Sequence, residues 1–337
     1  MGKSHQVISA LRSRDFSRQV LLDALQLTDE NQSALFNLAQ ECRLERFSDN
    51  QAQTRSVIEI SNICGQKCRY CAIGGLKQVK DYTLSTSQIV MLADYLYQKG
   101  RRVILLQSGE NTNPVFIDDV VNAIKKLKSL YPEVRIILCL GNLTHEQYQD
   151  LYDAGASDYI LKFETSNKNL FKYCKPNDEF DHRLACIQDL CEIGFRVGSG
   201  NIVGLPQQTL DDLVNDLELV HQLPLAMNSA TIFIPAENSE FANEKPGNPN
   251  YTLNMMALMR IMNPDRLMPT TSSLEKMIPD GQYLGLLAGA NTITIHDGTP
   301  EELQQFFPIY SSKRIRPQID HFRDILNRAG LRADIIN

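Results

Sequence analysis

The stretch Val57-Ile-Glu-Ile-Ser-Asn-Ile63 is a short run rich in β-branched residues, and Cys64 begins a loop directly after it. Such a run predicts a strand. Seven similar runs follow, separated mostly by amphipathic helical patterns. The eight predicted strands span residues 57–63, 102–107, 134–140, 158–163, 196–203, 229–234, 266–270 and 291–296. Alternating strands and helices imply a parallel sheet with right-handed crossovers. Eight such units in about 250 residues have the size of a (β/α)8 TIM-type barrel, with a doubly wound sheet as the alternative.

Segments on either side of the eight units complete the predicted α/β architecture. Residues 1–50 are predicted to be helical, with breaks near 13–15 and 28–30. Residues from 299 to 337 predict helices that close the barrel. The chain has no Gly/Ser linker, low-complexity tract or short repeat. The predicted division is therefore an N-terminal helical extension over 1–50 and one barrel domain over 51–337.

Composition narrows the classes of function. The chain carries 34 Lys and Arg against 40 Asp and Glu, with no long basic run, so nucleic acid is not an expected partner. No apolar stretch reaches the length of a membrane span, and the N-terminus lacks the apolar segment of a secretory signal. Eight cysteines in 337 residues are too dilute for a disulfide scaffold. We therefore expect a soluble, cytoplasmic protein with no membrane partner.

Three cysteines lie close together in the loop after the first predicted strand. Cys64, Cys68 and Cys71 fall within eight residues, and thiolates are the usual ligands of iron–sulfur sites. A 4Fe–4S cluster with three protein ligands keeps one iron open to a substrate or cofactor, as catalytic zinc keeps an open position. Zinc is the alternative, but it expects four ligands, and His5 and His145 lie far away in sequence. The loops after barrel strands form active sites, so this loop is the predicted cofactor site.

Polar residues also end the other predicted strands. Since the carboxyl ends of parallel barrel strands meet at one face, these tips are expected to form the mouth of a cavity. They are Ser108-Gly-Glu-Asn111, Gly141-Asn142, Glu164-Thr165, Gly204-Leu-Pro206, Pro235-Ala-Glu237, Thr271-Ser-Ser273 and His296-Asp297.

Three residues separate the first two cysteines, and two residues separate the second from the third. The residue just before the third cysteine is aromatic. This pattern resembles the signature of the radical S-adenosylmethionine (SAM) superfamily. Tyr70 stands where that superfamily has its aromatic residue, and the resemblance implies a place beside the adenine. The resemblance implies a 4Fe–4S cluster whose open iron binds the amino and carboxylate groups of SAM. It also implies reductive cleavage of SAM to methionine and a 5'-deoxyadenosyl radical, with Cys64, Cys68 and Cys71 as the catalytic, metal-binding residues. An electron donor such as ferredoxin or flavodoxin is then an expected partner.

Further stretches resemble the SAM-binding segments of the superfamily. Residues 107–111 are similar to the Gly-Gly-Glu strand end that receives the SAM ammonium, and residues 200–206 to the segment whose main chain borders adenine. Glu164 stands where relatives bind ribose hydroxyls or the amino group, and Arg183 could pair with the SAM carboxylate. For both side chains a solvated surface position is the alternative. The implied SAM contacts are Tyr70, Ser108, Gly109, Glu110, Lys162, Glu164, Arg183 and Val203.

Over nearly the whole barrel the chain resembles one group of this superfamily, which holds the HydE-type maturases of FeFe-hydrogenases, biotin synthase and methylornithine synthase. The resembling stretches include Leu106-Gln-Ser-Gly-Glu110, Asn201-Ile-Val-Gly-Leu-Pro206, Phe233-Ile-Pro235 and Gly289-Ala-Asn291. The resemblance implies a small substrate inside the barrel, cysteine-derived or organometallic. An amino-acid-rearranging enzyme resembling methylornithine synthase and a non-catalytic iron–sulfur carrier are the alternatives.

Several strand tips depart from the pattern of this group. Lys162 replaces a frequent Arg, whose fork-shaped contact Lys cannot make. Asn142 replaces a usual acidic residue, and His296-Asp297 replaces an apolar-Pro-Asn run. The parity of strand three could present the Cys139 sulfur to the cavity. The predicted substrate-binding residues are Thr271, Ser272, Cys139, Asn142 and His296. The departures predict a substrate other than that of an ordinary hydrogenase maturase.

Overall fold

The computed structural model describes residues 3–74, 79–307 and 318–333. Its strands, in chain order, are β1 (Gln53–Ser61), β2 (Val103–Ser108), β3 (Arg135–Cys139), β4 (Asp158–Ile160), β5 (Arg196–Val203), β6 (Met227–Ile232), β7 (Pro269–Thr270) and β8 (Thr292–Ile295). They form one parallel sheet in the order β6-β5-β4-β3-β2-β1-β8-β7. A bridge between Met227 and Leu267 connects the two outer strands. The sheet is thus a nearly closed barrel, and the predicted (β/α)8 fold is confirmed.

Helices surround this barrel. In the described ranges they are α1 (Lys3–Arg12), α2 (Arg18–Leu25), α3 (Asp29–Arg46), α4 (Thr86–Gln98), α5 (Pro114–Leu130), α6 (His145–Asp153), α7 (Lys168–Cys174), α8 (Phe180–Ile193), α9 (Leu210–Gln222), α10 (Pro249–Met262), α11 (Ser272–Met277), α12 (Gly281–Leu287), α13 (Glu301–Gln304) and α14 (Ile319–Arg328). None of them is long and apolar enough to cross a membrane. The predicted C-terminal helices correspond to α13 and α14, and residues 308–317 and 334–337 lie outside the described ranges.

Successive side chains of each strand point alternately into the barrel and toward the surrounding helices. Val57, Leu105 and Ile137 form a small apolar cluster inside the barrel, and Cys139 and Ile160 pack against it. Residues of opposite parity, such as Ile58, Ile104 and Ile136, belong to the large core between strands and helices. Because side chains alternate between the two faces of a strand, parity decides which residues can reach a central cavity.

Local hydrogen bonds determine where several helices begin after the loops. Reciprocal capping boxes start α4, α6 and α9, with Ser85, Thr144 and Thr209 as the N-cap residues. Each cap satisfies backbone N–H groups that have no partner inside the helix. The loops that carry the polar strand tips are therefore held at their far ends.

The N-terminal helices pack on the barrel and share its core. Their breaks fall where the sequence predicts them, since α1 ends at Arg12 and α3 begins at Asp29. Leu11 and Leu21 belong to the same hydrophobic cluster as the helices around the barrel. Arg43, which is 3% exposed, donates to the carbonyl oxygens of Leu286 and Ala290 at 2.9 and 3.0 Å. The division into residues 1–50 and 51–337 stays a prediction.

Most strand ends differ from prediction by one to four residues, and only β5 agrees at both ends. β1 begins at Gln53, four residues early, because its polar first residues pair with β8 rather than bury an apolar face. β4 ends early at Ile160, and Glu164 then turns the chain with a φ of 67°. That turn brings the Glu164 side chain to the mouth of the barrel.

Candidate active site

A cavity of about 320 Å³ lies at the carboxyl ends of the strands. This volume falls at the small end of the range of sites for small molecules. Eleven of the residues predicted from the sequence border it: Cys64, Cys68, Tyr70, Cys71, Ser108, Gly109, Glu110, Cys139, Lys162, Glu164 and Arg183. Residues up to 119 positions apart in the chain, from Cys64 to Arg183, therefore meet in one space.

The three cysteine sulfurs each receive a contact from a neighbouring hydrogen-bond donor. The Glu110 N–H donates to Cys64 Sγ at 3.4 Å, and the Ile73 N–H donates to Cys71 Sγ at 3.4 Å. The Lys175 ammonium lies 3.6 Å from Cys68 Sγ. Hydrogen bonds to sulfur stabilise the negative charge of a thiolate-bound cluster.

Gly109 lets the tip of β2 approach the cysteine loop. A Cβ at this position would lie 2.4 Å from the Ile63 carbonyl oxygen and 2.7 Å from Cys64 Cβ. The Gly109 N–H donates to the Ser61 carbonyl at 3.0 Å. Only a residue without a side chain allows this packing, so Gly109 positions the first cysteine.

The thiol environment suits a cluster. In the described ranges, no group of three His, Cys, Asp or Glu side chains is placed to hold a single metal ion. The ligands of a 4Fe–4S cluster each bind a separate iron and therefore stand further apart than those of one ion. Burial, followed by the nearby Cys68, raises the pKa of Cys71 to about 12, and burial raises that of Cys64. Because ligands bind as thiolates, bound iron would supply the stabilisation that their deprotonation needs.

Glu110 and Arg183 form an ion pair on the cavity wall. Arg183 Nη2 lies 3.2 Å from Glu110 Oε2 and 2.6 Å from Asp178 Oδ2. Burial acts to lower the pKa of Arg183, but the two carboxylates outweigh it and raise the pKa. Gln66, within the cysteine loop, donates its side-chain N–H to Glu110 Oε1 at 2.5 Å. The cysteine loop is thus linked directly to this ion pair.

Asn142 lies behind the cavity wall. Its side chain is buried and donates to Asp178 Oδ1 at 3.1 Å, while its backbone N–H donates to Glu110 Oε2 at 2.9 Å. Asn142 is not among the described residues that line the cavity. Asp178, on the loop between α7 and α8, therefore places a carboxylate next to Asn142.

Glu164 and Lys162 form another part of the cavity wall. Lys162 Nζ lies 3.2 Å from Glu164 Oε2 and 3.3 Å from Thr231 Oγ1. The positive φ of Glu164 is uncommon for a residue other than glycine, and such strain concentrates at functional sites. Main-chain hydrogen bonds to Gly200 and Ile202 hold it there, at 3.1 and 2.8 Å.

The remaining predicted contacts differ in their surroundings. Tyr70 packs against an apolar cluster that includes Cys174 and Ile202, and burial raises its pKa. Cys139 borders the cavity as its strand parity predicts, and burial raises its pKa to about 11. Val203 is buried, its carbonyl accepts from the Phe233 N–H at 2.9 Å, and it is the neighbouring Ile202 that borders the cavity.

Three predicted substrate contacts lie elsewhere. Among the described lining residues of the cysteine cavity, none comes from β7 or β8. Ser272 and His296 border a second cavity of about 470 Å³, and Thr271 forms a hydroxyl pair with Ser273 at 2.8 Å. His296 Nδ1 lies 3.5 Å from Glu59 Oε1. Their roles in substrate binding stay predictions, and the structure places them apart from the cysteines.

Among the residues of this site that sequence reasoning missed, Gln66, Lys175 and Asp178 make polar contacts to its predicted residues. Gln66 lies inside the cysteine loop, where a polar residue between ligands was a readable signal. Lys175 precedes Pro176 after the fourth strand, and nothing local marks its side chain as buried. Asp178 carries no sequence signal, because its partners Asn142 and Arg183 come from two other segments.

Comparison with known proteins agrees with this geometry. A sequence model of the Radical SAM superfamily matches residues 58–220, which contain the cysteine loop and the tips of β1 to β5. The fold and the site thus define a radical SAM barrel enzyme. The chain belongs to the radical SAM superfamily, in the group that includes HydE.

Two relatives show the extent of the similarity. The chain is 37% identical over 312 residues to the [FeFe] hydrogenase maturase subunit HydE of Thermotoga maritima, covering 91% of this chain and 88% of that protein. It is 25% identical over 300 residues to the biotin synthase of Parabacteroides distasonis, covering 83% and 89%. Radical SAM enzymes use a 4Fe–4S cluster and SAM as cofactors, and this chain, as a member of the superfamily, uses both.

Solved structures share the fold. Methylornithine synthase (PylB) superposes with a TM-score of 0.81 at 21% identity, covering 98% of this chain and 96% of that one. The hydrogenase maturase HydG superposes with a TM-score of 0.81 at 18% identity, covering 98% and 76%. At these identities the likeness concerns the barrel and not the reaction.

Proposed function

We propose that this radical SAM enzyme cleaves SAM reductively at a 4Fe–4S cluster held by Cys64, Cys68 and Cys71. The observation that carries the proposal is one cavity bordered by three cysteines and by the Glu110–Arg183 ion pair. When bound, the reduced cluster supplies one electron to SAM, giving methionine and a 5'-deoxyadenosyl radical. We further propose a ferredoxin or flavodoxin as the electron donor and a cytoplasmic setting.

The Glu110–Arg183 pair is complementary to the amino-acid end of SAM. A carboxylate and a guanidinium side by side match an ammonium and a carboxylate on one carbon. In our proposal Glu110 accepts from the ammonium, and Arg183 donates to the carboxylate. Asp178 then holds the Arg183 guanidinium in place, through contacts from Arg183 Nε at 3.1 Å and Nη2 at 2.6 Å.

The part of the wall that Glu164 and Lys162 form would hold the nucleoside. Glu164 is poised to accept from ribose hydroxyls or from the amino group, and Lys162 orients the Glu164 carboxylate. Tyr70 and Ile202 present apolar surface where a base can lie. Such walls exclude water, which protects a reactive intermediate.

We propose a small substrate, cysteine-derived or organometallic, in the same cavity. The support is the 37% identity to HydE, whose name describes an [FeFe] hydrogenase maturase subunit. Of the residues that depart from the group pattern, only Cys139 and Lys162 border the cavity. Asp297 instead pairs with Arg101 at 3.0 Å. The predicted change of substrate therefore rests on Cys139 and Lys162.

The first experiment measures SAM cleavage. Anaerobically reconstituted protein, dithionite and SAM should give 5'-deoxyadenosine and methionine. The variant with Cys64, Cys68 and Cys71 all changed to Ala should contain little iron and give neither product. A wild-type protein that carries a cluster but never cleaves SAM would support an iron–sulfur carrier instead.

The second experiment addresses the substrate. The chain is expressed in a strain that lacks its own HydE, and hydrogenase activity is assayed. Full rescue would assign the maturase substrate and contradict the predicted change. We expect incomplete rescue with intact SAM cleavage, because Cys139 and Lys162 alter the hydrogen bonds that a small substrate meets.

A further inference from the structure

Lys175 is a buried cation that the proposed SAM contacts do not use. It follows the last residue of α7, borders the cysteine cavity and is 4% exposed. Its Nζ lies 3.6 Å from Cys68 Sγ, 3.5 Å from Asp178 Oδ2 and 5.9 Å from the centre of the Phe171 ring. Lysine is almost never buried without a partner. The partners here are one carboxylate and one cluster-binding sulfur.

The main chain around Lys175 joins α7 to the cysteine loop. The Arg69 N–H donates to the Cys174 carbonyl at 2.9 Å, and the Lys175 N–H donates to the Phe171 carbonyl at 2.7 Å. The Asp178 N–H donates to the Lys175 carbonyl at 3.0 Å. These hydrogen bonds hold the Lys175 backbone, and Asp178 holds its ammonium. The fold therefore fixes the position of the ammonium beside Cys68.

The side chains of Lys175, Arg183, Asp178 and Glu110 together carry no net charge. Lys175 and Arg183 supply two positive charges, and Asp178 and Glu110 supply two negative charges in contact with them. A Cys68 thiolate adds a negative charge to this group, and the Lys175 ammonium is the cation that faces it.

We propose that the Lys175 ammonium donates to the Cys68 sulfur and raises the reduction potential of the cluster bound there. The inference rests on the proposed function, since it needs a 4Fe–4S cluster on Cys68. Reduction adds one negative charge to a cluster, and a buried cation close to it stabilises that charge with little screening by salt. Hydrogen bonds to the sulfurs act in the same direction.

The test compares three variants by redox titration, with the reduced cluster followed by electron paramagnetic resonance in the absence of SAM. Lys175→Met keeps the length of the side chain and removes its charge, and Lys175→Arg keeps the charge. Lys172→Met makes the same change on the exposed face of α7, where the ammonium pairs with Glu179. Iron and sulfide are counted in every sample.

We expect Lys175→Met to have a more negative midpoint potential, with roughly tenfold less reduced cluster at a fixed solution potential. Lys175→Arg should recover most of this difference, and Lys172→Met should match the wild type. Iron lost from Lys175→Met but retained in Lys175→Arg would also support a role for the charge.

An unchanged midpoint in Lys175→Met, or equal loss of iron from the Met and Arg variants, would overturn the proposal. The first result would mean that the charge has no effect, and the second that Lys175 acts through its shape alone. A wild-type protein without any 4Fe–4S signal would refute the proposed function itself, which keeps the two failures apart.

Discussion

At the scale of single residues, the tip of β2 and the cysteine loop are in close contact. Gly109 and Gly65 lie on the two sides of this contact, and their N–H groups donate to the carbonyls of Ser61 and Glu110. A Cβ at Gly109 would meet backbone at 2.4 Å, whereas at Gly65 the nearest atom would be 3.7 Å away. The two glycines therefore differ in what a methyl group would do.

The Gly109→Ala variant should lose most of its bound iron after reconstitution. The added methyl group displaces Ile63 and Cys64, so the three thiolates no longer converge on one cluster. Iron and sulfide are counted, and the visible absorbance of the cluster is recorded. Gly65→Ala is the control and should bind iron as the wild type does. Equal iron content in the two variants would show that the close contact at Gly109 is not needed for the cluster.

The Glu164→Gln variant should retain its cluster but bind SAM more weakly. Gln keeps the shape of the side chain and loses the charge that strengthens hydrogen bonds, which is worth about 1–2 kcal/mol or a five- to thirtyfold change in affinity. SAM binding is measured by calorimetry on the reconstituted protein.

The control for this change is Glu237→Gln, an exposed glutamate after β6 that does not border the cavity. Its SAM affinity should equal that of the wild type. If Glu164→Gln also binds SAM unchanged, Glu164 has no part in SAM binding.

At the scale of elements, α9 holds the ends of β4 and β5 together. Asp216 on α9 accepts hydrogen bonds from the Ser166 N–H and hydroxyl, each at 2.6 Å, and from the Asn201 amide at 2.8 Å. Ser166 lies two residues after Glu164. The buried carboxylate thus stabilises the turn that presents Glu164 to the cavity.

Asp216 should make stability depend on pH. Burial raises its pKa to about 6, although the hydrogen bonds from Ser166 and Asn201 act in the opposite direction. The native state therefore holds a proton that the unfolded state, with a pKa near 3.8, has already released. The contribution of Asp216 to the free energy of unfolding is full below about pH 4 and is lost as pH rises through about 6, by about 3 kcal/mol in total.

The comparison variant for this pH dependence is Asp216→Asn, which cannot titrate. Between pH 4 and 7 the wild type should lose stability relative to the variant, as measured by urea unfolding at each pH. Parallel pH profiles for the two proteins would show that Asp216 titrates equally in the folded and unfolded states.

At the scale of the whole molecule, the N-terminal helices and the barrel bury their apolar residues in one cluster. Arg43 of α3 connects them by donating to the carbonyl oxygens of Leu286 in α12 and of Ala290 in the segment before β8, and burial lowers its pKa to about 10. From this shared core we expect the two parts to unfold as one cooperative unit.

The cluster-free protein should unfold in a single transition, and Arg43→Ala should lower its free energy of unfolding by about 2–3 kcal/mol. The variant removes the Arg43 donor from the Ala290 carbonyl and from the Leu286 carbonyl, which also accepts from the Gly289 N–H. Urea unfolding is followed by circular dichroism and by tyrosine fluorescence. Arg46→Ala, three residues later on an exposed position, should change stability little. Two separate transitions would instead support a division near residue 50.

The sequence alone predicts the order of the eight strands, a (β/α)8 barrel in preference to a doubly wound sheet, and the cysteine loop. Each is written in a local pattern, such as the β-branched run at 57–63 or the spacing of Cys64, Cys68 and Cys71. The meeting of the polar strand tips followed from these patterns, because parallel barrel strands end at one face.

The tertiary structure is needed to know which strand tips share the cysteine cavity and which side chains pair behind it. It placed Asp178 against Asn142, brought Lys175 to Cys68, and kept His296 beside Glu59 and away from the cysteines. These contacts join residues 36, 107 and 237 positions apart in the sequence. No local pattern encodes them, because the energy of a buried charge depends on neighbours that only the folded chain brings within a few ångströms of it.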